Sequence, residues 1–115
     1  MKKLAVIDHY YGDPDHDLEN RMIELLFKIE NIEYDIAPSL GEFEKKFGSL
    51  DNYVGAFVHP GLDSQEKMLR QLHRRYPQLR MAICSRRPED YLDIGKTAII
   101  GCHQMDKIKR YFRLN

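Results

Sequence analysis

Five short apolar runs, each followed by a stretch of helical pattern, constrain this chain more than any other feature. Leu4-Ala5-Val6-Ile7 is unbroken and partly β-branched, as expected of a strand covered on both faces. Tyr34-Asp35-Ile36-Ala37 is more polar and reads as an edge strand. Val54 to Val58, Met81-Ala82-Ile83-Cys84 and Thr97 to Gly101 complete the set. Strands that alternate with helices in so short a chain imply a parallel sheet with helices on both faces. The expected fold is therefore α/β: a five-stranded, doubly wound parallel sheet in the flavodoxin-like order 2-1-3-4-5, forming one domain over residues 1–115.

The intervening segments carry start and stop signals. Asp13-Pro14 is an N-cap followed by proline at the first helical position. Leu18, Met22, Leu25, Leu26 and Ile29 then form an i, i+4, i+7 stripe, read as the buried face of a helix reaching about Glu30. Ser39 with Glu42 fits a capping box before a short helix through Phe43 and Phe47, ended by Gly48. Asp63 with Glu66 can cap a helix whose inner face is Met68, Leu69, Leu72 and Tyr76, closed by Pro77. "RRPEDYLDIG" supports a further short helix, and Met105, Ile108 and Phe112 mark the last one.

Composition matters mainly for what it excludes. With 43% hydrophobic and 31% charged residues the chain is neither disordered nor membrane-spanning. The apolar run after Lys2-Lys3 ends after four residues, below the ~7–15 of a signal-peptide core, so a cytoplasmic location is expected. Cys84 and Cys102 are too few for a scaffold and read as buried free thiols. Net charge is zero but divided. Residues 1–60 hold 6 Lys/Arg against 12 Asp/Glu, and residues 61–115 hold 12 against 6. Such a division can steer a partner, or cancel on one surface.

In a doubly wound sheet, ligands bind beyond the carboxyl ends of the strands. Those ends read Asp8-His9, His59-Pro60-Gly61, Cys84-Ser85-Arg86 and Gly101-Cys102-His103. In the order 2-1-3 the first and third strands are neighbours, so Asp8, His9 and His59 should lie close together. Asp13, Asp15 and Asp17 are explained by the helix N-terminus, where negative charge is favoured.

These strand ends carry a family resemblance that spans nearly the whole chain. "LAVIDHY", "VGAFVHPGLD", "MAICS" and "AIIGCHQMDKIKRYF" resemble the first, third, fourth and fifth strand regions of receiver domains of two-component response regulators. The resemblance implies a phosphorylation pocket at Asp8, His9, His59, Cys84 or Ser85, and Gly101 or Cys102. It also shows that pocket to be degenerate. His9 replaces the second acid, His59 stands where the aspartyl nucleophile belongs, and Gly101 or Cys102 stands where a lysine is expected. Magnesium prefers oxygen ligands, and the family's chemistry needs a carboxylate acceptor. Aspartyl phosphorylation is therefore not expected. The resemblance further implies a partner or dimer contact on the last helix and fifth-strand face, through Lys107, Lys109, Arg110, Tyr111 and Arg113.

The first expectation is thus a stand-alone, receiver-like regulatory domain acting by protein–protein contact, without catalysis or a resident cofactor. The alternative is a small enzyme at the same strand ends. It would use a divalent metal on Asp8, His9 and His59, joined by His16 or His103, or a nucleophilic Cys84 or Cys102. Imidazole and carboxylate ligands suit zinc, manganese or iron. Cys102 and His103 are adjacent and should point to opposite faces of a strand. A third alternative is a nucleic-acid adaptor using Arg70, Arg74, Arg75, Arg80, Arg86 and Arg87, although no nucleic-acid-binding motif accompanies them. No Gly-rich phosphate loop follows the first strand, and neither nucleic acid nor a membrane is the expected partner.

Overall fold

The computed structural model describes residues 2–59, 65–84, 97–101 and 104–114. The strands are β1 (Leu4–Asp8), β2 (Tyr34–Ala37), β3 (Gly55–His59), β4 (Met81–Ile83) and β5 (Ala98–Ile99). The helices are α1 (Asp17–Ile29), α2 (Leu40–Phe47), α3 (Gln65–Arg75) and α4 (Met105–Tyr111). Every strand pairing is parallel. Four strands in the order β2-β1-β3-β4 make the body of the sheet. The fifth strand, expected over Thr97 to Gly101, contracts to two residue pairs beside β4, Ala82 with Ala98 and Ile83 with Ile99. Its ladder stops because the Gly101 amide donates instead to the Gln104 side chain at 2.7 Å, which turns the chain into α4. The helix expected in "RRPEDYLDIG" and the Asp63 cap lie outside the described residues.

Strand alternation divides the core into two layers. Ala5 and Ile7 of β1 join Val58, Ile83, Leu40, Phe43, Leu69 and Leu72, so α2 and α3 cover one face. Leu4 and Val6 join Phe57, Ala82, Phe27, Met105, Ile108 and Phe112, so α1 and α4 cover the other. Burial of β1 over its whole length matches its unbroken apolar run. β2 lies at the edge, and its polar residues are tied down there. Asp35 accepts from Lys3 Nζ at 3.1 Å and from the Tyr53 hydroxyl at 2.7 Å, and the Tyr34 hydroxyl donates to Glu24 at 2.7 Å. Burial and then the bonded carboxylate hold both phenols above their ordinary pKa.

Gly55 shows why a strand here opens on glycine. A Cβ at that position would run into the Phe112 ring and stand 2.8 Å from the Arg80 carbonyl oxygen. The last helix can therefore seat its terminal aromatic directly on the β3 backbone.

α1 corrects one expectation. Leu18, Met22, Leu25 and Ile29 face solvent, whereas Phe27 and Asn20 are buried, with Ile23 and Leu26 partly buried against the core. The helix carries two apolar stripes, and the more regular one points outward. Before it, Asp13 caps a short 3₁₀ turn at Pro14–His16, accepting from the Asp15 amide at 2.9 Å. That bond is the main reason its carboxyl titrates below the ordinary value.

Candidate functional site

The site grows from the pairing of β1 with β3. Asp8 and His59 are direct cross-strand partners at the carboxyl end of the sheet, and the His9 amide donates to the His59 carbonyl at 3.0 Å. As the last residue of a strand buried throughout, Asp8 has almost no contact with solvent. Its Oδ1 accepts from the Tyr10 amide at 3.0 Å, and its carbonyl accepts from the Tyr11 amide at 2.9 Å. Asp8 thus terminates β1 and shapes the loop after it through both its side chain and its main-chain carbonyl.

His59 Nδ1 stands 3.3 Å from the same Asp8 oxygen. The contact is within ion-pair distance, yet its direction does not make a hydrogen bond, and Nδ1 is left buried without one. The contact therefore adds little as a hydrogen bond, since hydrogen bonds weaken steeply when bent. About a quarter of the His59 side chain remains open to solvent. A buried carboxylate beside a half-open imidazole is the kind of pair that can orient a proton carrier or supply two metal ligands.

Tyr10 sits at the centre of what surrounds the pair. Its ring stacks on His16 with centroids 4.1 Å apart and meets His59 edge-on at 5.5 Å. His9, exposed, lies edge-on to the same ring at 5.2 Å. His16 Nδ1 is 3.2 Å from Asp13 Oδ2, so the capping carboxylate also holds the stacking imidazole. Asn20 reaches back from α1, donating to the Tyr10 carbonyl at 2.7 Å. Buried polar groups need such partners, which explains an asparagine on the inward face of α1.

The structure brings Asp8 and His59 together, as expected. It does not gather Asp8, His9 and His59 around one point: among the described residues no three His, Cys, Asp or Glu side chains are arranged to hold a metal ion. Gly101, at the position of the expected lysine, turns the chain rather than offering a cation. Ser85, Cys102 and His103 lie outside the described residues. Tyr10 and Asn20 were not foreseen. Their signals were an aromatic directly after the strand end and a polar residue opposite the regular apolar stripe.

Cys84 departs from expectation too. It is disulfide-bonded rather than a free thiol. The chain's other cysteine is Cys102. No described helix is long and apolar enough to cross a membrane.

The expected interface on α4 is partly engaged within the chain. Lys109 Nζ approaches Glu30 at 3.4 Å, the Tyr111 hydroxyl donates to the Met81 carbonyl at 2.9 Å, and Arg80 lies over the Tyr111 ring. Lys107, Arg110 and Arg113 are exposed. In the arginine belt, Arg75 pairs with Glu44 at 2.8 Å, and Arg86 and Arg87 lie outside the described residues. A surface groove lined by His73, Leu79, Arg80, Met81 and Tyr111 opens at the start of β4, the opposite end of the sheet from Asp8. No protein-family model matches the chain, and no curated protein matches its sequence.

Proposed function

We propose that the chain is a receiver-like regulatory domain that works by protein–protein contact, independently of aspartyl phosphorylation. The observation that carries this reading is the register at the sheet end. Asp8 on β1 faces His59 on β3, so an imidazole stands where a receiver of flavodoxin-like order 2-1-3-4-5 would present its acceptor carboxylate. An imidazole cannot form an acyl phosphate, and it is a poor ligand for magnesium. Asp8 itself is committed to the Tyr10 amide. The uneven charge along the chain supports recognition of a charged protein partner, with the exposed Lys107, Arg110 and Arg113 on and just beyond α4 as its basic contribution.

The test is an amide-resonance spectrum recorded with magnesium, before and after adding acetyl phosphate or beryllofluoride. The spectrum is expected to stay unchanged. Shifts centred on residues at the carboxyl ends of β1 and β3, or a phosphoryl group found on an aspartate, would overturn the reading.

A second reading rests on the Asp8–His59 contact itself. At 3.3 Å the pair supplies two donors to a metal-dependent enzyme, and its remaining ligands would have to come from residues beyond those described. Protein purified without an affinity tag would then hold zinc, manganese or iron in stoichiometric amount, and His59→Ala would release it.

A further inference from the structure

We propose that the outer face of α1 is the contact surface of a two-fold dimer, in which the α1 helices of two copies of this chain pack antiparallel. The inference does not depend on the receiver-like reading. Leu18, Met22, Leu25 and Ile29 are 72%, 57%, 56% and 62% exposed. Their spacing is four, three and four residues. That is the a/d seam of a coiled coil, and on a helical wheel the four residues fall within an arc of about 60°. Phe27 and Asn20, buried against the sheet and the Tyr10 loop, lie on the opposite side of the helix. The stripe is therefore distinct from the helix's core-facing side. Among the described residues, no folding role accounts for four large apolar side chains along one solvent-facing stripe.

Area and charge both favour a second copy. Together the four side chains expose on the order of 450 Å² per chain, the size of the largest apolar patch on a typical monomer, which is often functional. Two copies would cover about twice that. The stems of Arg21 and Lys28 and the flank of Glu19 would bring the interface to the low end of specific complexes, roughly 1,200 Å². The first turn of α1 is acidic, with Asp17 and Glu19, and the last turn carries Lys28. A parallel pair would set acid against acid and lysine against lysine. An antiparallel pair sets Lys28 of each chain near the acidic first turn of the other. It also opposes the two helix dipoles. In that register Met22 meets Leu25 of the second copy and Leu18 meets Ile29, so large apolar residues oppose one another along the seam. Interface area does not fix affinity, so the equilibrium is looked for across a wide range of concentration.

The test is sedimentation velocity of the full chain from about 1 μM to 1 mM, a span of roughly 4 kcal/mol in association free energy. A concentration-dependent monomer–dimer equilibrium is expected. Leu25→Lys, and separately Leu18→Lys, should weaken it at least ten-fold while leaving the circular dichroism spectrum and the unfolding midpoint of dilute protein unchanged. Lys107→Glu on α4 should leave the dimer intact. Nitroxide labels then decide orientation. Labels at position 18 of one chain and 29 of the other should be close, and two labels at position 18 should be far apart. A chain that stays monomeric throughout, a dimer insensitive to both leucine substitutions, or a monomer that instead binds anionic lipid vesicles through α1 would each overturn the proposal. None of these outcomes bears on phosphorylation at the sheet end, so failure here and failure of the receiver-like reading are separable.

Discussion

α1 and α4 lie against the same face of the sheet, and they differ in what they turn outward. Inward they are alike: Phe27 from one and Met105, Ile108 and Phe112, on and just beyond the other, fill one continuous core. Outward, α1 shows a seam of leucine, methionine and isoleucine, while α4 shows Lys107 and Arg110. The inward faces answer to the same demand, removal of apolar surface from water, and so converge on similar residues. The outward faces are under no such demand from folding. The two proposed contacts use that difference, an apolar one at α1 and an electrostatic one at α4.

That contrast can be broken most decisively by truncation. Phe27→Ala should destabilise the chain by roughly 3–5 kcal/mol in urea unfolding, through lost burial and a residual cavity. Leu25→Ala, two residues away, should change the stability of dilute protein by no more than about 0.5 kcal/mol. Equal costs at the two positions would erase the distinction between the stripes.

The next effect belongs to the seat of α4. Gly55→Ala forces a methyl group into the Phe112 ring and should cost about 1–3 kcal/mol by overpacking. Relief on combining it with Phe112→Leu, measured as a double-mutant cycle, would show that the clash is with that ring. Asn20→Ala removes the donor to the Tyr10 carbonyl and should cost about 1–3 kcal/mol if the carbonyl is left without a partner, less if water reaches it. It should also broaden the resonances of His16 and His59, whose rings contact Tyr10.

Two smaller effects sharpen the comparison. The Lys109–Glu30 pair joins the end of α4 to the residue after α1, and both side chains are partly solvent-exposed. Lys109→Ala should cost no more than about 0.5 kcal/mol, and that cost should vanish in high salt. Asp13 before α1 titrates below the ordinary carboxylate value, chiefly because the Asp15 amide bonds its charged form. Its contribution is therefore fully present above the unfolded-state pKa and is lost as pH falls through the lower folded-state value. The stability difference between wild type and Asp13→Ala should thus be flat at neutral pH and close as the solution becomes strongly acidic.

Much of the architecture was legible because burial on both faces leaves a simple trace. A strand like Leu4–Ile7 must be apolar at every position, and a polar strand like Tyr34–Ala37 must lie at an edge; both followed from composition along a few residues. The neighbourhood of Asp8 and His59 was legible for the same reason, since strand order puts the ends of β1 and β3 side by side. The length of β5 was not, because one side-chain bond from Gln104 ends its ladder. Tyr10 gave little local sign of its place among three histidines, which depends on how Asp8, Asp13 and Asn20 fold the loop back.

α1 marks the boundary between the two kinds of knowledge. Periodicity alone determined that the segment from Pro14 to about Glu30 would be helical and that large apolar side chains would share a side, because hydrogen-bonding geometry repeats identically along any helix. Which side would meet the sheet was decided only in three dimensions. A helix with two apolar stripes can dock by either, and the docked one carries Phe27 into the core and an asparagine that satisfies the half-buried Tyr10 carbonyl. Packing and hydrogen-bond satisfaction depend on groups distant in the chain, and no local pattern carries them.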